Sequence, residues 1–209
     1  MRETYLIKKI FGPTIQGEGS RAGTPVKFLR FAGCNKWSGK PETKAKSVCW
    51  YCDTDFDGGE KLTVEQIIDQ LNALGPLKRV VLSGGEPTLQ LTKDLLEALV
   101  SEGYELHLET NGSKALRELA QYFTHITMSP KQGPGETKLE WAHDIKILYP
   151  WIGPEVSAEG FNQFSSDHKF IQALWTDGYR DNLNSAIDWL MTHPNYRLSI
   201  QTHKIIEVE

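Results

Sequence analysis

The chain has 209 residues, 39% of them hydrophobic and 24% charged, and its 23 Lys and Arg against 27 Asp and Glu leave a formal net charge of -4. One domain over 1–209 is expected, because domains commonly run to roughly 100–200 residues, and the apolar share suits an ordinary core and excludes overall disorder. The mild acidity gives no bulk electrostatic drive toward nucleic acid or an anionic membrane.

In chain order, Met1 to Ser20 is broken by Arg2, Glu3, Lys8, Lys9 and Glu18 before any apolar stretch forms. No targeting segment is read there, and no later run nears the roughly 20 apolar residues of a membrane span, so a soluble cytoplasmic protein is expected. The first predicted strand is Lys27 to Phe31. A helix follows, with Val64, Ile67, Ile68, Leu71 and Leu74 at helical spacing and Thr63 with Gln66 placed as a capping box. Arg79 to Leu82 is the second strand; Leu95, Leu96, Leu99 and Val100 mark a second helix ending at Gly103. Strands are then predicted at Glu105–Leu108, His125–Met128, Asp144–Leu148, His168–Ile171 and Arg197–Gln201, with a last helix on Leu183, Ile187 and Leu190 stopped near Pro194. Gly133 to Glu136 and Gly153 to Asp167 read as loops.

Strands alternating with helices imply parallel pairing through helical crossovers, hence an α/β fold. A complete eight-unit barrel takes about 250 residues, so the prediction here is a partial, TIM-like barrel of about six parallel strands, open on one side. In such folds the chemistry gathers where the strands end.

Each predicted strand end carries a polar signature. After the first come Cys34, then fourteen residues, then Cys49-Trp50-Tyr51-Cys52; after the second, Ser83-Gly84-Gly85-Glu86-Pro87. Further on are Glu109-Thr110-Asn111-Gly112, Ser129-Pro130-Lys131 and Gln201-Thr202-His203-Lys204. Three cysteines cannot pair completely, which points to thiolates used as ligands or nucleophiles in a reducing compartment. Three thiolates hold three irons of a [4Fe-4S] cube and leave the fourth open, whereas zinc with three Cys and one His is a common structural site. Spacing alone does not separate the two. Adjacent glycines after a strand let backbone approach a ligand, and Glu86 suits an ammonium; an ordinary tight turn explains the same pair.

The cysteines with their aromatic, followed by Gly84-Gly85-Glu86-Pro87, resemble the radical S-adenosylmethionine superfamily, although its usual first gap is three residues and here it runs from Asn35 to Val48. Ile15-Gln16-Gly17-Glu18-Gly19, Phe28-Leu29-Arg30-Phe31-Ala32-Gly33-Cys34, Cys52-Asp53-Thr54, Ser129-Pro130-Lys131 and Gln201-Thr202-His203-Lys204 together resemble one family within it, the 7-carboxy-7-deazaguanine synthases. The resemblance covers nearly the whole chain and is weakest over 133–167 and 205–209. It implies radical ring contraction of 6-carboxy-5,6,7,8-tetrahydropterin to 7-carboxy-7-deazaguanine and ammonia, initiated by a 5′-deoxyadenosyl radical, with a [4Fe-4S] cluster, S-adenosylmethionine and Mg2+ as cofactors. The hard chemistry belongs to the cofactors.

By the resemblance, Cys34, Cys49 and Cys52 ligate the cluster and Thr54, with Asp53 beside it, meets Mg2+, a cation that prefers hard oxygens. S-adenosylmethionine is assigned to Tyr51, Gly84, Gly85, Glu86, Glu109, Ser129, Pro130, Lys131 and the run Gln172, Ala173, Leu174 and Trp175. The pterin is assigned to Ile15, Gln16, Gly17, Glu18, Arg30, Ser83, His203 and Glu209, in which Gln16 and Glu18 accept ring N–H groups and the planar Arg30 fork faces the carboxylate. An isolated Arg or His is more often a surface ion pair or simply hydrogen-bonded. The insert Asn35–Val48 carries Lys36, Lys40, Lys44 and Lys46, which suits an acidic flavodoxin or ferredoxin as electron donor or else a solvated loop. A homodimer is implied by the resemblance alone. A glycyl-radical-type activase sharing the cluster, or a zinc-stabilised binding module, are the competing readings.

Overall fold

In the computed structural model, which describes residues 3–208, strand β1 spans Tyr5–Ile15 and pairs antiparallel with β2, Pro25–Phe31. The cysteine segment follows β2 and contains one helical turn, α1 (Pro41–Lys44), before the short β3, Glu60–Leu62, pairs with the outer side of β1. From there the chain runs α2 (Val64–Ala73), β4 (Arg79–Gly84), α3 (Lys93–Ser101), β5 (Glu105–Thr110), β6 (Phe123–Met128), β7 (Trp141–Tyr149), β8 (Ser165–Ala173), α4 (Tyr179–Leu190), β9 (Arg197–Ser199) and the closing turn α5 (Thr202–Ile205). The strand order is β3-β1-β2-β4-β5-β6-β7-β8-β9, parallel from β2 to β9.

All seven predicted strands are present as neighbours in one parallel run, and the sheet is α/β and open, as expected. Two strands were not anticipated. β1 contains Gly12-Pro13, which reads as a turn, but here the pair sits at a register shift between Phe11 and Thr14, a bulge that the antiparallel ladder absorbs. β3 is three residues long and too short to carry a period. Among the described residues, α-helices occupy only the β2–β4, β4–β5 and β8–β9 connections; a 3-10 helix (Arg117–Tyr122) and loops serve elsewhere, which is how the fold fits its length.

Local chemistry sets the helix boundaries. Thr63 Oγ1 accepts the Gln66 N–H while Gln66 Oε1 accepts the Thr63 N–H, the predicted capping box. Gly103, at φ +83°, follows α3 and donates its N–H to the Val100 carbonyl.

Strand residues alternate between two environments. Leu29 and Phe31, Val80 and Leu82, Leu106 and Leu108, Ile126 and Met128, and Ile145 and Ile147 face the helices and form the core with Ile67, Leu71, Leu95 and Leu99. The opposite face is polar toward the strand ends: Arg30, Ser83, Glu109, Ser129, Lys146, Gln172 and Gln201 line one cavity. The sheet thus separates a dry exterior layer from a charged interior.

Candidate active site

The cavity measures about 310 Å³ and receives residues from the β1 loop, the cysteine segment and the ends of β2, β4, β5, β6, β7, β8 and β9. Cys34, Cys49 and Cys52 stand on one wall, none in a disulfide. Lys36 N–H points to Cys34 Sγ at 3.4 Å and the Tyr51 hydroxyl to Cys49 Sγ at 3.9 Å. Burial pushes the Cys49 and Cys52 thiols up, while Lys131 pulls both down; metal coordination deprotonates such thiols outright. Among the described residues no three His, Cys, Asp or Glu side chains converge to hold a single metal ion, and His203 is the sole histidine lining the cavity. Three free thiols lining one cavity fit three irons of a [4Fe-4S] cube, the fourth iron being left open to a bound ligand.

Beside the cysteines, Lys131 donates to Ser129 Oγ at 2.7 Å and lies 5.8 Å from the Tyr51 ring centre. Burial drives the Lys131 ammonium below its ordinary value, and the neighbouring cysteines oppose that. Gln172, Ala173, Leu174 and Trp175 form the adjoining wall, with Gln172 Oε1 accepting from Ser199 Oγ at 2.8 Å.

The glycine turn has a different reason from the predicted one. A Cβ on Gly84 would come within 2.6 Å of Phe31 N, and one on Gly85 within 2.5 Å of the Gly33 carbonyl carbon and 3.0 Å of Cys34 Cβ. Both glycines exist so that the end of β4 nests against the end of β2, where Gly85 N–H and Glu86 N–H bond the Phe31 and Gly33 carbonyls. What the turn offers the cavity is backbone.

Glu86 corrects the sequence reading. It is fully buried and does not line the cavity: its carboxylate accepts from Thr88 N (3.2 Å), Thr88 Oγ1 (2.5 Å), Thr110 Oγ1 (2.6 Å) and Asn111 N (2.7 Å). Four donors converge on it because the turn must be fastened to the end of β5, so Glu86 is a strut in place of an ammonium partner. Pro130 is likewise buried and off the cavity lining, held between two residues that do line it. Glu209 lies outside the described residues.

The other wall is the predicted substrate cradle. Ile15, Gln16, Gly17, Glu18, Arg30, Ser83 and His203 all line the cavity, as do Tyr51, Thr54 and Glu109. The Arg30 guanidinium lies 5.1 Å from the Phe11 ring, and Phe11 stacks on Phe28 at 5.0 Å and 7°. Gln16 Nε2 donates to Glu109 Oε1 at 3.0 Å. Thr202 N–H bonds the Gly17 carbonyl at 2.9 Å and Gln201 Nε2 donates to Glu18 Oε1 at 2.7 Å, so the loop after β1 is bonded to the segment that enters α5.

Sequence reasoning missed Lys146, which joins this wall from β7. Its ammonium pairs with Glu18 and, at 3.4 Å, with Glu109. Burial alone would raise the Glu18 carboxyl, yet Lys146 and Gln201 hold it down at about 2. The Glu109 carboxyl is pushed up by burial, with Lys146 opposing, and Lys146 itself is held above its ordinary range by the two carboxylates despite its burial. Two acids share one ammonium: Glu18 is the ionised partner, and Glu109 is the one nearer to holding a proton. The available signal was a lone lysine inside the apolar run Ile145-Lys146-Ile147-Leu148. Asn111, Asp53, Gln201 and Lys204 also line the cavity without having been assigned, except Asp53, to a ligand.

A sequence profile of the Radical SAM superfamily matches residues 46–148. The 7-carboxy-7-deazaguanine synthase of Burkholderia multivorans is 36% identical over 217 residues, covering 98% of this chain and 99% of that protein. The protein of the same name from Bradyrhizobium diazoefficiens is 36% identical over 215 residues, with the same two coverages. The crystal structure of QueE from Escherichia coli shares the fold, with TM-score 0.69 at 23% identity over 96% of this chain and 95% of that one.

Proposed function

The chain belongs to the 7-carboxy-7-deazaguanine synthase family of the radical S-adenosylmethionine superfamily, and from that premise we propose how its own residues serve the reaction. It is a radical S-adenosylmethionine enzyme of 7-deazapurine biosynthesis, with a [4Fe-4S] cluster and S-adenosylmethionine as cofactors. The substrate proposed is 6-carboxy-5,6,7,8-tetrahydropterin, contracted to 7-carboxy-7-deazaguanine with loss of ammonia. When bound, the cluster and S-adenosylmethionine supply one-electron reduction and hydrogen-atom abstraction.

The observation that carries the reading is one cavity lined both by three free thiols and by the charged Glu18–Lys146–Glu109 group. Cys34, Cys49 and Cys52 would hold three irons. The Gly84 and Gly85 backbone, Tyr51, Ser129, Lys131 and Gln172 to Trp175 would hold S-adenosylmethionine, the buried walls excluding water and stray hydrogen donors. In the cradle, Gln16 and Glu18 would accept pterin N–H groups and Arg30 would take the carboxylate. Glu109, beside the Glu18–Lys146 pair, would hold or release a proton at the ring. Burial lowers the His203 imidazole below its ordinary range, with Glu18 opposing, so it would hydrogen-bond as a neutral ring, and Thr54 would offer a hydroxyl to Mg2+.

A reductant must reach the cluster. Lys40 and Lys46 are exposed and Lys36 and Lys44 half-buried in the cysteine segment, with Lys44 over the Trp37 ring, and this basic segment would dock an acidic flavodoxin or ferredoxin. A homodimer is proposed from family membership. The test of the whole reading is anaerobic incubation of reconstituted protein with reductant, S-adenosylmethionine, Mg2+ and the carboxypterin, followed by mass analysis. Formation of the deazaguanine is expected; its absence overturns the assignment.

A further inference from the structure

Asp53 directly follows cluster wall residue Cys52, and its carboxylate is paired with Lys204 from α5. Lys204 Nζ also donates to Gln201 Oε1 at 3.0 Å and lies 4.9 Å from the Trp175 ring. Gln201 uses its other end, Nε2, to reach Glu18 at 2.7 Å, with Asp53 Oδ2 at 3.5 Å. From Glu18 the contacts continue through Lys146 to Glu109 and Gln16. A single chain of side-chain bonds therefore runs from the cysteine segment to the floor of the cradle. Lys204 is its bridging member, because its one ammonium engages the cysteine segment, the cradle and the Trp175 wall at once.

We propose that Lys204 is a positioning residue that couples the two walls of the cavity, an inference that rests on the proposed reading of the site. By pairing with Asp53, it fixes the segment carrying Cys52 and leaves Thr54 as the neighbouring oxygen directed to the cavity. By orienting the Gln201 amide, it presents Nε2 to Glu18 and keeps Glu18 aimed for a ring N–H donor. A half-buried ammonium with two polar partners and an aromatic face is held in one geometry, which suits registration more than solvation. Without Lys204 the Gln201 amide is held only through Nε2, Asp53 keeps only the long 3.5 Å contact from that same amide and loses its counter-charge, and the two ligands lose the stronger part of their common reference.

The test compares Lys204→Met, which keeps the stem and removes the charge, with Lys204→Arg and Asp53→Asn. Three readouts are taken: iron per chain, substrate KM against kcat, and 5′-deoxyadenosine released per deazaguanine formed. Lys204→Met is expected to keep its iron, to raise KM by about tenfold, the loss fitting one charge-assisted hydrogen bond, and to release more 5′-deoxyadenosine per product. Lys204→Arg is expected to recover most of both effects. If Lys204→Met does not fold, Asp53→Asn removes the same pair from the other side and is expected to raise the nucleoside ratio. An unchanged KM and nucleoside ratio in a folded variant overturns the inference while leaving the reaction assignment standing; a wild-type chain that makes no deazaguanine overturns the assignment itself.

Discussion

His203 occupies the space that a side chain on Gly17 would fill: a Cβ built there lies 2.7 Å from His203 Cγ and closer still to Nδ1. The absence of a side chain at 17 is thus what allows the last turn of the chain to lie over the first loop. Gly17 is not in the left-handed backbone region, so alanine is tolerated locally and its effect is transmitted to the imidazole.

Gly17→Ala is therefore expected to raise substrate KM with little change in Tm. Measured alone and combined with His203→Ala, the two substitutions should be strongly non-additive, because both displace the same ring. Additive effects would show that the contact is not the route.

The Glu18–Lys146–Glu109 group makes a prediction about pH. Glu18 titrates at about 2 in the folded protein, against an ordinary value of 4.5 in the unfolded chain, so the folded form binds fewer protons between these values. Its contribution to stability is full above pH 4.5 and is lost as pH falls toward 2. Denaturation midpoints of wild type and Glu18→Gln should differ most at neutral pH and converge in that window.

Removing the shared ammonium is harsher. Lys146→Met leaves Glu18 and Glu109 facing each other, buried, without a counter-charge, and breaking a buried pair of this kind costs roughly 3–5 kcal/mol. Urea unfolding would report it, and Lys146→Met combined with Glu18→Gln should recover part of the loss.

Glu86 and Gly85 separate a strut from a close approach. Glu86→Ala strips four donors of one acceptor and should destabilise the fold by at least about 4 kcal/mol, each orphaned group costing on the order of 1–3. Gly85→Ala drives a methyl into Gly33 and Cys34 and should instead lower the iron bound per chain after reconstitution. Calorimetry and iron analysis on the two variants distinguish the roles.

For the cofactor ligands, Cys49→Ala is expected to abolish turnover together with the cluster's visible absorbance. Thr54→Ala is expected to keep the cluster and to weaken the response of rate to added Mg2+. An unchanged Mg2+ titration would remove Thr54 from the metal.

Much of this was legible along the chain. The parallel strands announced themselves as short β-rich runs, α2 and α3 by period and caps, and the site by polar residues immediately after each run. Glu86 misled because its chemistry suits an ammonium equally well from a cavity wall or from a buried knot of hydroxyl and amide donors; only the approach of Thr88, Thr110 and Asn111 distinguishes them. β1 was hidden by Gly12-Pro13, whose turn signal is local whereas the bulge that accommodates it is made by pairing with β2.

By itself, then, the sequence determined the α/β class, the three-thiol set and the strand ends at which polar residues gather, because period and spacing are properties of neighbours along the chain. Tertiary structure alone decided that Lys146 stands between Glu18 and Glu109, that Lys204 reaches Asp53, and that Gly17 makes room for His203. Those relationships join residues of loops, strands and the α5 turn that are far apart along the chain, and their energies depend on distance and burial in a shared interior, quantities that exist only once the sheet has brought its strand ends together.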